Sequence, residues 1–261
     1  GVGNPGALVG AVGEDHSTAT ILVVLLLALA VKGGMVPVHS WLPRAYPATS
    51  AGIMALFSAL HTKVALYAIY RIVAVAFGDE LPFLTVFAVL VLATILVGAF
   101  STAAATRVRT AMGHQMVTGV GHILLGLVLL TQLSVTAGIL YLVHHVISMS
   151  SLLLTTGALE HTYGSGRLDR LSGLARREPW VMAVMALGMF SLVGLPPTSG
   201  LWGKVGLLQA SSQQITGGDA VLGWAALCAV VVASVGSLLG LQRVWRRLAW
   251  GEDMITYRPD D

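Results

Sequence analysis

The sequence predicts an all-α membrane protein, a polytopic bundle of transmembrane helices. Of its 261 residues, 56% are hydrophobic and only 10% are charged, and the mean hydropathy is +0.81. Soluble domains carry about 25% charged residues, so this composition excludes a water-soluble globular fold. An apolar run of about 20 residues can cross a bilayer. We count seven such runs, at 18–38, 49–77, 81–104, 111–131, 135–159, 181–211 and 219–242.

The first two runs each carry a lysine. In the first, Lys32 is followed by two glycines and Pro37, and both residue types oppose helix propagation, so we expect the helix to break beside the lysine. In the second, Lys63 is followed by Tyr67 and Tyr70 at spacings of four and seven residues. These spacings predict that the three side chains share one helix face.

Polar side chains recur at helical spacing in the fourth and fifth runs. The fourth carries His122 on a polar face, and the fifth carries His144 and Ser148 on one stripe with His145 beside it. Histidine titrates near neutral pH, and hydroxyl groups can hold the waters through which protons move. The same stripes could instead join helices through interhelical hydrogen bonds.

The sixth run is too long for one straight crossing. As a single helix its 31 residues would span about 46 Å, against a hydrocarbon core of about 30 Å. Gly194, Pro196 and Pro197 mark the expected break, and Lys204 follows two turns later. Interrupted helices place backbone carbonyls at membrane depth in transporters built from inverted repeats, although ordinary packing kinks give the same pattern.

The positions of the arginines predict how the chain is oriented in the membrane. All arginines but Arg71 fall in alternate connections, which the positive-inside rule makes cytoplasmic, with the N-terminus outside. We expect an extracytoplasmic segment at 1–17, a transmembrane bundle at 18–242 and a cytoplasmic tail at 243–261.

The lysines Lys32, Lys63 and Lys204 lie inside apolar runs, where no carboxylate accompanies them. Lysine, unlike arginine, can release its proton when removed from water, so the pattern favours proton transfer, although a lysine near a helix end could reach the headgroups.

Several classes of function are not indicated. The sequence has no phosphate-binding glycine loop and no zinc spacing, and adjacent histidines point about 100° apart on a helix. We therefore expect no metal, no cofactor, no nucleic-acid partner and no enzymatic activity. The chain begins at Gly1 without an initiator methionine or a signal peptide, so we expect a piece of a longer protein.

Four stretches resemble one family. Residues 32–47, 60–67, 194–204 and 245–252 are similar to the antiporter-like subunits shared by Mrp-type monovalent cation/proton antiporters, respiratory complex I and membrane-bound hydrogenases. Lys204 and the lysine of Thr62-Lys63-Val64 are most similar to those of the D subunits of Mrp antiporters. The resemblance implies a multi-pass subunit of a hetero-oligomeric complex in the plasma membrane that exchanges Na⁺ for H⁺.

The resemblance also implies roles for individual residues. Lys32 would store the proton of a first half-channel, Lys63 would bridge, Lys204 would end a second half-channel, and His144 or His145 would be the central histidine. The predicted relay consists of Lys32, Lys63, His122, His144, His145 and Lys204. The predicted supporting residues are His39, His61, Tyr67, Ser148, Pro37, Pro196 and Pro197.

Two departures from the family leave alternatives open. Met149 stands where the family often has a lysine, and the family's first half, with its glutamate, would lie upstream of Gly1. A proton-pumping subunit of a quinone-linked or hydrogenase complex remains an alternative function. A structural membrane subunit with a decayed channel, for which Met149 is the evidence, is another.

Overall fold

The computed structural model describes residues 16–77, 81 and 83–251, and these residues form a bundle of helices with no β-strand among them. In chain order the α-helices are α1 (His16–Gly33), α2 (Trp41–Ala45), α3 (Ala51–Leu56), α4 (Thr62–Ile72), α5 (Leu84–Ser101), α6 (Val108–Val128), α7 (Gln132–Tyr163), α8 (Leu174–Arg177), α9 (Pro179–Val193), α10 (Ser199–Gly217) and α11 (Ala220–Ala249). The π-helical turn Phe57–His61 joins α3 to α4, and a second π-helical turn, Val73–Phe77, follows α4.

The all-α membrane fold is confirmed, whereas the count of seven crossings is not. Within the part of the chain that the structure describes, five helices are long and apolar enough to cross a membrane, and two shorter apolar helices, Thr20–Gly33 and Pro179–Val193, accompany them. The five are Ala51–Phe77, Leu84–Ala104, Val108–Val128, Gln132–Tyr163 and Ala220–Ala249. The count differs because the first and sixth runs are each divided by a break.

Helix α6 forms the centre of the bundle and packs against α5 and α7. All its residues except Arg109, Thr110 and His114 are buried. A polar side chain on this helix therefore faces protein rather than lipid, whichever direction it points. This burial explains how Gln115 and His122 come to lie in the interior.

The two broken helices end in the same way. Gly34 and Gly194 both adopt left-handed backbone, with φ of 82° and 86°, a conformation that glycine adopts without steric cost. The next residue's amide then donates back to a carbonyl five residues earlier, from Met35 to Ala30 and from Leu195 to Phe190, each at 3.0 Å. The predicted breaks are confirmed, and their shared geometry agrees with an internal repeat.

The arginine-rich connections meet at one end of the bundle, which we call the basic end (residues 44–50, 105–109, 164–178 and 243–251). Arg107 and Arg167 form a backbone bridge, and α8 packs against α11. The exposed Arg167 and Asp169 form an ion pair of 2.6 Å, and the hydrogen bonds from Arg167 lower the pKa of Asp169 to about 2. The side of the membrane on which this end lies stays a prediction.

Some predicted features fall outside the described residues. These are most of the segment at 1–17 and the last ten residues of the tail at 243–261. Helix α11 itself extends to Ala249, so the start of the predicted tail is helical.

Candidate functional site

Lys204 lies beside the second helix break. Its side chain is 4% exposed, and its Nζ atom donates to the carbonyl oxygen of Val193 and to the hydroxyl of Ser234, both at 2.8 Å. Val193 is the last residue of α9, where carbonyl groups lack partners within the helix. The break therefore supplies the acceptor that positions the lysine.

Lys63 is equally buried but differently surrounded. It is also 4% exposed, and no described residue accepts a hydrogen bond from its Nζ atom. It lies two residues after the π-helical turn Phe57–His61, a feature that is frequent at functional sites. The structure thus buries two lysines, one with two fixed acceptors and one with none among the described side chains and carbonyls.

His144 joins three helices at the second break. Its Nδ1 atom lies 2.9 Å from the hydroxyl of Ser199 on α10, 3.2 Å from that of Ser148 and 3.4 Å from that of Ser191 on α9. Ser148 also donates to Ser191 at 3.2 Å. These hydroxyl groups can accept or donate, so the cluster can pass a proton between the helices.

Tyr141 lies in the middle of the predicted relay histidines. Its ring stacks on that of His122 with centroids 5.0 Å apart, and it meets the rings of His144 and His145 at 5.3 Å and 6.2 Å. Tyr141 is 2% exposed. It precedes the two adjacent histidines by three and four residues, so helical spacing could have identified it.

His145 is the histidine of this group that interacts with Lys63. Its Nε2 atom lies 3.4 Å from the carbonyl oxygen of Gln115 on α6, and it is close enough to Lys63 for an electrostatic interaction. His122 and His144 have the same relationship to Lys204. We call the set of Lys63, His145, Tyr141, His122, His144 and Lys204 the buried row.

Two glycines allow the histidines to pack this closely. A Cβ atom at Gly119 would collide with the ring of His145, and one at Gly200 would collide with the carbonyl oxygen of Ser191 and come within 2.9 Å of Nε2 of His144. Both positions require a residue without a side chain. They were not identified from the sequence, because many glycines in membrane helices serve packing alone.

Lys32 lies apart from the buried row. Its side chain is exposed and interacts electrostatically with His61, whose Nδ1 atom lies 2.8 Å from the hydroxyl of Tyr46. The expected burial of this lysine is therefore not observed among the described residues. His39 is half-buried in the first break and interacts with His114 of α6.

The predicted shared face of Lys63 and Tyr67 is wrong. Tyr67 is 61% exposed and lies on the outer face of α4 with Val64, which is 56% exposed. The buried face carries Lys63 and Tyr70. Four residues advance a helix by about 40° beyond one turn. This rotation from Lys63 places Tyr67 outside the buried face.

Comparison with known proteins agrees with this architecture. Residues 8–235 match the family described as NADH:quinone oxidoreductase/Mrp antiporter, transmembrane. The chain belongs to this family. It is 32% identical over 252 residues to the D subunit of the Na⁺/H⁺ antiporter of Alkalihalophilus pseudofirmus, with 94% of this chain and 49% of that protein covered. It is 31% identical over 249 residues to the corresponding D subunit from Bacillus subtilis, with 95% and 49% covered.

Solved structures of the family have the same fold. The structure of the Mrp complex from Dietzia sp. matches with a TM-score of 0.89 and 42% identity, covering 96% of this chain and 46% of that one. Respiratory complex I from Thermus thermophilus matches with a TM-score of 0.76 and 23% identity, covering 90% and 48%, a likeness of fold alone. The chain spans about half the length of the family members it matches.

Proposed function

We propose that this chain is a proton-translocating part of a multisubunit monovalent cation/proton antiporter, with Na⁺ as the exchanged cation. The observation that carries the proposal is the buried row, in which three histidines and a tyrosine lie between two buried lysines. Relatives that are named as D subunits of Na⁺/H⁺ antiporters support the same function. We place the protein in the plasma membrane with the basic end in the cytoplasm.

The chemistry of the row suits protons better than metal ions. Among the described residues no three histidine, cysteine or carboxylate side chains are arranged so that they could hold a metal ion, and a hard cation such as Na⁺ prefers oxygen ligands that include carboxylates. We therefore assign the proton path to the buried row and expect the Na⁺ path to use other groups. Lys32 would then act with a partner that the described residues do not supply.

The proposal is tested by removing proton release while keeping the charge. Lys204→Arg retains a cation but cannot deprotonate, and Lys204→Ala removes both. We expect neither variant to support Na⁺-dependent proton movement, measured with a pH-sensitive dye in inverted membrane vesicles that carry the whole complex. Trp202→Phe, at a 65% exposed position on the same helix, serves as the matched control. Wild-type exchange in both lysine variants would refute the mechanism.

The same vesicles separate the alternatives. Exchange that needs only an imposed Na⁺ gradient supports the antiporter, whereas proton movement that requires an electron donor and a quinone supports a redox-driven pump. A structural subunit with a decayed channel predicts that Lys63→Ala and Lys204→Ala both leave exchange unchanged.

A further inference from the structure

A row of adjoining cavities, which we call the groove, runs along α11 from the basic end to the second helix break. Its outer part is lined by α11 and the two residues after it, and its middle part by α9 and α11. Three adjoining cavities form it, and neighbouring cavities share lining residues: Gln242 joins the outer cavity to the middle one, and Val193 and Leu238 join the middle one to the inner one. The groove therefore reaches from the arginines of α11 to the second helix break, where Lys204 lines its inner end.

The outer cavity is basic, and the lining of the other two is mostly apolar, with Gln242 in the middle cavity and Lys204 and Ser234 in the inner one as the polar exceptions. Arg243, Arg246 and Arg247 line the outer cavity together with Trp250, and none of the three arginines forms an ion pair with a described carboxylate. The middle cavity is lined by apolar side chains of both helices, including Met189 and Phe190 of α9. One end of the groove thus fits an anion and the remainder fits a hydrocarbon chain.

The dimensions of the groove match one leaflet of a bilayer. Val231 lines the inner cavity and Gln242 lines the outer one, and their separation along α11 is about 17 Å at 1.5 Å per residue. Half of a hydrocarbon core of about 30 Å is about 15 Å. The arginines therefore lie at headgroup depth when the inner end of the groove lies near the middle of the membrane.

We propose that this groove binds an anionic phospholipid. Arg243, Arg246 and Arg247 bind its phosphate, since clustered basic residues at the membrane surface attract anionic headgroups and guanidinium groups match phosphate geometry. One acyl chain fills the apolar part of the groove and covers the side of Lys204 that the groove exposes. The lipid then prevents water from reaching Lys204 through the groove.

The test measures retained lipid on the whole complex reconstituted in nanodiscs of equal parts dioleoyl phosphatidylglycerol and dioleoyl phosphatidylcholine. After transfer to detergent, bound lipids are counted by native mass spectrometry. We expect retained phosphatidylglycerol to fall about fivefold for each of Arg243, Arg246 and Arg247 changed to Gln, with phosphatidylcholine unchanged. Arg170→Gln, an exposed arginine of the basic end outside the groove, is the matched control and should retain wild-type phosphatidylglycerol.

A second variant tests the acyl-chain part. Leu238→Trp fills the junction of the middle and inner cavities while leaving the arginines in place, and we expect it to reduce retained phosphatidylglycerol by a similar factor. Soluble glycerol phosphate should not displace the lipid. Equal retention in the triple Arg→Gln variant, displacement by glycerol phosphate, or a map of the complex with a protein helix seated in the groove would each overturn the proposal. Size-exclusion profiles confirm that each variant complex is assembled before lipids are counted.

Discussion

Lys204 Nζ donates a hydrogen bond of 2.8 Å to the carbonyl oxygen of Val193, the residue at which α9 ends. The break and the lysine are thus one structural unit, because the carbonyl that the broken helix cannot satisfy is the acceptor that the lysine needs. At the first break, Trp41 Nε1 donates to the carbonyl oxygen of Val31 at 2.9 Å. Both breaks therefore use a side chain of the following helix to bind a carbonyl in the last turn of the helix before the break.

The hydroxyl of Ser234, the second acceptor of Lys204, allows a test of whether hydrogen bonding positions this lysine for proton transfer. Ser234→Ala removes one of its two hydrogen bonds while leaving the bond to Val193. A hydrogen bond to a charged group contributes about 1.5 to 3 kcal/mol, so we expect Na⁺-dependent proton exchange to slow by about 10- to 150-fold without being lost. Ser212→Ala, at an exposed position, is the control and should exchange at the wild-type rate. An unchanged rate in Ser234→Ala would show that this bond does not position the lysine for transfer.

The packing of His145 against α6 gives a test that changes no titratable group. Gly119→Ala adds a single methyl group that collides with the imidazole of His145, and overpacking of this kind costs about 1 to 3 kcal/mol. We expect a complex that still assembles but exchanges protons poorly, because His145 must leave its place beside Gln115. Gly52→Ala adds the same methyl group where no atom lies within 4 Å. Comparable exchange by the two variants would argue that the position of His145 is unimportant.

Most of the fold and part of the site could be predicted from sequence, for identifiable reasons. Gly194, Pro196 and Pro197 act through local backbone chemistry, so their effect was visible without tertiary information. Whether a side chain on an apolar helix faces protein or lipid depends on the elements packed around it. The prediction that Tyr67 shares the face of Lys63 was wrong for this reason. Ser191, Ser199 and Ser234 were missed because a serine in a membrane helix carries no sign of which other helix it will meet.

Substitutions at Met149 test whether the proton channel has decayed. Met149 is 0% exposed and belongs to an apolar cluster with Leu152, Leu153 and Met185. Met149→Lys would place an ammonium group in this cluster, and burying an unpaired charge costs several kcal/mol. We therefore expect reduced assembly of the complex, measured by its yield and melting temperature, and no gain in exchange, whereas Met149→Leu should behave like the wild type. Faster exchange by Met149→Lys would support a relay that this chain has lost.

The connections at the basic end are held by Arg109, which pairs with Glu160 at the end of α7 and donates to the carbonyl oxygen of Thr49. The two side chains are 18% and 15% exposed, so leaving one partner without the other costs about 1 to 3 kcal/mol. We expect Glu160→Gln to lower the melting temperature of the purified complex by several degrees. The pair of Arg167 and Asp169 is the natural comparison, because both side chains are about half exposed and exposed pairs contribute little.

Asp169→Asn should therefore leave the melting temperature unchanged between pH 5 and 8. The pKa of Asp169 is lowered to about 2 by its hydrogen bonds from Arg167, so any contribution of this pair is complete above the unfolded-state pKa of about 3.9. That contribution is lost only as the pH falls toward 2. A melting temperature that falls equally in Glu160→Gln and Asp169→Asn at pH 7 would show that burial does not separate the two ion pairs, and that Arg109 is not the residue that holds these connections together.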